Sequence, residues 1–304
     1  MELYTMRYVL AMAEYENFSL AAQACHIGQP ALSQQIAKLE KELGVLLFQR
    51  NPRGAVLTEA GKAFVSRARQ IVSLSDELTS EMSLYAGLYR GTLNLGLITS
   101  LRCIDFGGLL SAFCAEYPGI SVNIVQGGTH NLLQQLLERK IDLAFMNRPL
   151  SGIPSGTEFL KLGQDVYRLA VPEKHPLAKQ KTVALAQLKD EPFIFHQPAQ
   201  VASELCIRAC RDAGFDPKIV CRSASPSTTF YMVQGGLGVA LLPSEEFHSH
   251  NLEGVAEVAL KETICKEVGV AWRTDSCSPL IRAAVAFAKN RFIQQPLEMQ
   301  NPKR

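Results

Sequence analysis

Residues Gly28 to Gly44 constrain the fold of this chain more than any other stretch. Leu32, Ile36, Leu39 and Leu43 recur at spacings of four, three and four, so one helix face must be buried. Gln29, Ser33, Gln34 and Lys38 then turn away from that face. Gly28 precedes the helix, Pro30 sits in the first turn where a missing N–H costs nothing, and Gly44 ends it. A helix this short cannot hide its stripe alone, and partners lie just upstream. Leu3 begins a helical pattern that breaks at Tyr15-Glu16-Asn17. A second helix is expected from an N-cap at Ser19 through Leu20, Ala21, Ala22 and Ala24, small residues that admit a close neighbour, until His26-Ile27-Gly28 breaks it.

Two short helices joined by a Gly-containing turn, the second exposing amides, a hydroxyl and a lysine near its start, make a helix-turn-helix. Gln side chains can read adenine edges and Ser can pair with several bases. A polar helix face is as often simply solvated, so the next segment matters. Leu46-Leu47-Phe48, Arg50, Asn51-Pro52-Arg53-Gly54 and Val56-Leu57 read as a two-stranded wing with a basic tip. The whole chain carries only +2, from 31 Lys and Arg against 29 Asp and Glu. Between Gln29 and Arg69, however, Lys38, Lys41, Arg50, Arg53, Lys62, Arg67 and Arg69 face only Glu40, Glu42 and Glu59, a local excess of +4. Cations flanking a reading helix hold phosphates and position a protein on DNA.

From Thr58, a plausible N-cap, a long helix is expected to about Tyr89. Phe64, Ile71, Leu78 and Tyr85 recur every seven residues with Ala68, Ser75 and Met82 between them, which is a coiled-coil face and a dimerisation helix. The alternative is that this stripe packs on the C-terminal part of the same chain. The expected boundaries are therefore a winged helix-turn-helix over 1–58, a linker helix over 59–90 and a further domain over 91–304.

After Gly91 strands alternate with helices: a strand Thr92 to Leu97, a helix near Phe106 to Tyr117, a strand Ile120 to Gln126, a helix from about Thr129 to Arg139, and a strand Ile141 to Met146. This is an α/β domain with a mostly parallel sheet. A second series runs from about Val166 to Thr263, with strands near Phe193, Lys218 to Cys221 and Gly238 to Leu242. A strand Val268 to Trp272 and a helix Leu280 to Phe292 finish it. The lengths suggest two lobes crossed twice, near Gly163 to Asp165 and near Glu262 to Cys265. Gly235, Gly236 and Gly238 follow a helix and precede a strand, so they stop a helix rather than cradle a phosphate. Where a strand ends and a helix begins, free N–H groups and a small hydroxyl suit a carboxylate. Ser100 and Thr129 occupy two such points, unless they only cap their helices.

The motifs Asn17-Phe18-Ser19-Leu20-Ala21-Ala22, Gln29-Pro30-Ala31-Leu32-Ser33-Gln34-Gln35-Ile36, Leu39-Glu40, Leu46-Leu47-Phe48-Gln49-Arg50 and Leu57-Thr58-Glu59-Ala60-Gly61 resemble the N-terminal signature of LysR-type transcriptional regulators. Val233 to Pro243 is also similar to that family, so the resemblance covers nearly the whole chain. It implies base contacts from Gln29, Pro30, Ser33 and Gln34, with Arg50 and Arg53 toward the backbone and Lys38 on the same face. Many members carry Arg where this chain has Gln34. The resemblance further implies a two-lobed, periplasmic-binding-protein-like effector domain: lobe I over about 91–163 and 266–304, lobe II over about 164–265, with a small molecule held between them. Ser100 and Thr129 match positions that often contact the effector. The facing lobe offers His196, Gln197 and Pro198, and Asn147 ends another strand on the same side. A small effector, anions among the candidates, double-stranded DNA, a dimer or tetramer of this chain, and RNA polymerase are the implied partners.

Composition closes other routes. At 47% hydrophobic and 20% charged residues over a 304-residue length that suggests about two domains, the chain reads as globular, not fibrous or disordered. It shows no secretion signal and no run of about 18 apolar residues, so a cytoplasmic protein off the membrane is expected. The eight cysteines are scattered without metal spacing, and no metal or cofactor is expected. No Gly-x-Ser-x-Gly or acid pair suggests an enzyme, leaving only Cys103 or Cys206 with a distant His as a residual option. A thiol switch is the stronger rival. Peroxide-sensing members of the family use two cysteines in the second lobe. Cys210 matches the later one, but the earlier, reactive position falls on Val201, and a disulfide between Cys206 and Cys210 within one helix is sterically poor.

Overall fold

A computed structural model of the chain describes residues 1–51, 54–85, 90–198, 200–248, 253–276 and 278–294. The chain divides into two compact units, residues 1–88, with which the short segment 138–140 groups, and residues 89–137 with 141–304.

The first unit begins with helices α1 (Leu3–Tyr15), α2 (Phe18–Ala24) and α3 (Gln29–Leu43). The start of α2 differs from expectation. Asn17, not Ser19, is the N-cap, because its Oδ1 accepts the backbone N–H of both Ser19 and Leu20, at 2.9 and 3.1 Å. On α3, Leu32, Ile36 and Leu39 are buried, whereas Leu43 is exposed beside Gly44, whose φ of +70° closes the helix. The buried stripe joins Val9, Met12, Ala21, Ala22, Leu47 and Phe48 in one core.

The wing follows as strands β1 (Phe48–Asn51) and β2 (Gly54–Leu57), antiparallel with Arg50 opposite Ala55. Glu40 fixes its root to α3 by accepting the Leu47 and Phe48 N–H groups at 2.7 and 3.0 Å. Helix α4 (Glu59–Tyr85) starts at Thr58, whose Oγ1 accepts from the Gly61 N–H at 2.9 Å and donates to the Leu46 carbonyl at 2.7 Å. Gly61 lies so close to the wing root that a Cβ there would sit 2.0 Å from the Leu47 carbonyl oxygen. Early in α4, Ala68 and Val72 pack against Met6. On the same helix Ile71, Leu74, Leu78 and Met82 are exposed. The end expected near Tyr89 lies outside the described residues.

The second unit continues with β3 (Gly91–Leu97), α5 (Phe106–Glu116), β4 (Ile120–Gln126), α6 (Thr129–Leu137) and β5 (Leu143–Asn147). Next comes β6 (Thr157–Pro172), then β7 (Thr182–Val183), β8 (Pro192–His196), α7 (Val201–Asp212), β9 (Lys218–Ser223), α8 (Pro226–Gln234), β10 (Ala240–Pro243) and α9 (Ser244–Phe247). Strands β11 (Val255–Leu260) and β12 (Cys265–Arg273) and helix α10 (Pro279–Gln294) complete it.

The main sheet has the order β4-β3-β5-β12-β6-β11-β7, with β10 also on β6. Only β3, β4 and β5, and the short β11-β7 pair, are parallel there; β12 runs antiparallel to β5 and β6, and β10 and β11 antiparallel to β6. The expected mostly parallel sheet is thus mixed, and β6 explains why. This strand leaves the first lobe at Thr157 and runs on into the second, and β12 returns beside it from Cys265 opposite Val166 to Arg273 opposite Thr157, with a register shift between Val268 and Gly269. An outgoing and a returning strand must oppose each other. The lobes have separate cores, one around Leu95, Phe113, Phe145 and Val270, the other around Leu169, Phe193, Phe195 and Leu241.

Candidate nucleic-acid interface and ligand cleft

On α3 the face opposite the core is open. Gln29, Pro30, Gln34 and Lys38 are exposed, while Ser33 is half-buried and engaged. The helix thus presents two amides and an ammonium on one side, rooted by a core on the other, which is the arrangement a helix needs to read a groove. Arg50 stands on β1, whereas Arg53 lies outside the described residues.

In the second unit, strand ends converge on a cleft of about 550 Å³, its open mouth included. From the first lobe come Thr99 and Ser100 after β3, Gly128 and Thr129 at the start of α6, and Asn147 at the end of β5. The second lobe and the crossing strands supply His196, Gln200, Tyr167, Glu246 and Lys266. Open α/β sheets hold ligands at just such carboxyl ends of strands. Gln197 and Pro198 are exposed and do not line the cleft.

Neither predicted hydroxyl caps a helix. Asp105, whose Oδ1 accepts the Gly108 N–H at 2.9 Å, caps α5, and Ser100 lies ahead of it, donating across the lobes to Glu246. Thr129 Oγ1 has no hydrogen-bond partner among the described residues although Thr129 is only 2% exposed. Asn147 Oδ1, the Tyr167 hydroxyl and His196 Nδ1 are orphaned in the same cleft. Buried polar atoms are rarely left so, and four lining one cavity mark a polar site with room for water or a ligand.

Burial, with the Lys266 ammonium nearby, pushes His196 down to about 4, so its imidazole is neutral. Burial, together with Cys206 and the Asp165 and Glu246 carboxylates, raises Tyr167 well above its ordinary value and keeps its O–H. Tyr167, Glu246 and Lys266 escaped the sequence reading because they sit inside strands or a short helix with no motif around them.

Cys206, Cys210 and Cys103 show the opposite of activation. Cys206 and Cys210 are buried in the second lobe's core beside Phe193 and Phe195, and burial raises both, Cys210 to about 12. Burial likewise pushes Cys103 up to about 11. Among the described residues, no cluster of His, Cys, Asp and Glu could hold a metal, and no helix is long and apolar enough to cross a membrane.

A winged helix-turn-helix joined to a two-lobed cleft domain defines a ligand-responsive DNA-binding regulator. Two family models match in that order: "Bacterial regulatory helix-turn-helix protein, lysR family" over residues 3–62, and "LysR substrate binding domain" over residues 86–293. The chain belongs to the LysR family of transcriptional regulators. It is 36% identical to the transcriptional dual regulator GltC of Bacillus subtilis over 81% of this chain and 82% of that protein. To the hydrogen peroxide-inducible genes activator of Dickeya chrysanthemi it is 31% identical, over 80% and 79%. A full-length OxyR from Pseudomonas aeruginosa, solved as a cysteine-to-aspartate variant, superposes with a TM-score of 0.75 at 25% identity, covering 95% of this chain and 94% of that one.

Proposed function

We propose that this regulator works in the cytoplasm as a non-enzymatic, DNA-bound oligomer whose state is set by a small molecule in the cleft of residues 91–304. The observation that carries this reading is the set of orphaned buried atoms on Thr129, Asn147, Tyr167 and His196. Gln29, Pro30, Ser33 and Gln34 contact bases, while Lys38, Arg50 and Arg53 hold phosphates. The exposed Ile71, Leu74, Leu78 and Met82 on α4 pair two chains, so that two heads over residues 1–58 read two half-sites, and a tetramer follows from a second pairing. Lobe closure on the ligand alters the spacing of those heads, and RNA polymerase is the downstream partner. A peroxide switch is the second reading, favoured by the activator relatives. The burial of Cys206 and Cys210 argues against it.

The test is selection of fragmented genomic DNA by the purified, reduced protein. A few imperfect palindromes should be recovered, and peroxide should leave the selection unchanged. Recovery of no site above background at low salt, where phosphate contacts are strongest, would refute the reading. Leu78→Glu should lower the oligomeric state by light scattering.

A further inference from the structure

The wing is a ribbon of two four-residue strands, and a two-stranded ribbon does not hold itself in place in water. It is fastened at both ends. At its root Glu40 takes the Leu47 and Phe48 N–H groups. Near its tip the support is the turn between α1 and α2. Helix α1 closes at Glu16, whose N–H donates to the Met12 carbonyl at 3.0 Å and whose φ of +49° lies in the left-handed region. The Glu16 carbonyl in turn accepts the Ala55 N–H at 3.1 Å. Strand β2 is therefore held along both edges, by β1 on one side and by Glu16 on the other.

Gly54 makes this approach possible. Its φ of +150° is one that residues with a side chain rarely adopt, and a Cβ there would sit 2.0 Å from the Glu16 carbonyl oxygen and 3.2 Å from its carbon. Both are backbone atoms, which cannot swing aside as the end of a side chain could. Any other residue at position 54 must lift β2 off the turn and break the Ala55 hydrogen bond. Across the ribbon Gly54 stands opposite Asn51 and Ala55 opposite Arg50, so the displacement reaches both strands that frame the tip. The same turn caps α2 through Asn17, so the helix-turn-helix and the wing share one support.

We propose that Gly54 is a positioning residue for DNA binding: its bare backbone lets the wing dock on the turn between α1 and α2, and this docking holds Arg50 and Arg53 where they reach phosphates of the duplex that α3 reads. The proposal rests on the phosphate role given to the wing under the proposed function, and adds to it the residue that sets the wing's place. Gly54 touches no DNA itself; it acts through the two arginines.

The experiment is fluorescence anisotropy of the full-length protein on a labelled mixed-sequence duplex across a salt series. Gly54→Ala should weaken binding roughly tenfold and lower the salt slope by about one to two units, as the loss of one or both arginine contacts would, while far-UV circular dichroism stays unchanged. Combined with Arg53→Ala it should cost less than it does alone, because a contact it positions is already gone. Ala55→Pro removes the N–H given to Glu16, should have the same effect, and serves if Gly54→Ala fails to fold. Unchanged binding in the folded variant, or weaker binding with an unchanged salt slope, overturns the proposal. Arg50→Ala and Arg53→Ala, measured alongside, separate its failure from that of the wing reading. If they lower the slope and Gly54→Ala does not, only the positioning role falls; if they leave the slope unchanged, the phosphate role of the wing falls with it.

Discussion

The reading head and the cleft solve opposite problems. Every element of the head lies within some sixty consecutive residues, its core satisfies its own backbone, and its functional face is merely the side of α3 that the core does not use. The cleft draws residues from position 98 to position 266, and four of its polar atoms, on Thr129, Asn147, Tyr167 and His196, are buried without partners among the described residues. Affinity at the head depends on stability nearby. Affinity in the cleft depends on keeping polar atoms unsatisfied, which works against stability.

That contrast can be broken most sharply at the head's core. Leu32→Ala, at a fully buried position, should destabilise the first unit by about 2–5 kcal/mol and abolish DNA binding. Hydrogen exchange should show the loss confined to residues of the first unit, with ligand binding in the second intact. Exchange that rises equally in both units would mean that the two regions do not behave separately.

Next in size is the pH response of the cleft. His196 is held at about 4, against an ordinary 6.5, so between those values the unfolded chain binds more protons than the folded one. Stability attributable to His196 is therefore complete above about pH 6.5 and falls by about 3 kcal/mol as pH drops to about 4. Urea denaturation across this range should show that slope for the second unit, and His196→Gln should flatten it. An unchanged slope would place the titration elsewhere.

A smaller effect separates positioning from reading in the head. Arg53→Ala should weaken binding to all sequences alike and lower the salt slope by about one unit, whereas Ser33→Ala or Gln34→Ala should mostly shift base preference. An Arg53→Ala protein with unaltered affinity and slope would remove the wing from the contact set. Smallest is Thr129→Val, which exchanges an orphaned hydroxyl for a methyl. Its stability should change by less than about 1 kcal/mol or even rise, while the response to ligand is blunted. A large loss of stability would assign the hydroxyl a structural task.

How far these regions could be read in advance follows from where their determinants lie. The stripe on α3, its Gly44 stop and the wing were legible because each depends on neighbours a few residues away. The N-cap of α2 was misplaced by two residues because Asn17 and Ser19 are both competent caps, and only the turn from α1 decides between them. Ser100, Thr129, Asn147 and His196 were reachable as strand ends. Gln197 and Pro198, next along the chain, turn outward, since consecutive loop residues need not share a face.

By itself the sequence determined the winged head, the alternation of strands and helices after Gly91 and the family, because periodicity, capping chemistry and motif spacing are local properties. Only the tertiary structure decided that β6 and β12 run as opposed crossing strands, that Glu246 takes the Ser100 hydroxyl, and that Lys266 and Tyr167 face the same cleft as Thr129. Those facts depend on register between strands about a hundred residues apart, which no local pattern encodes.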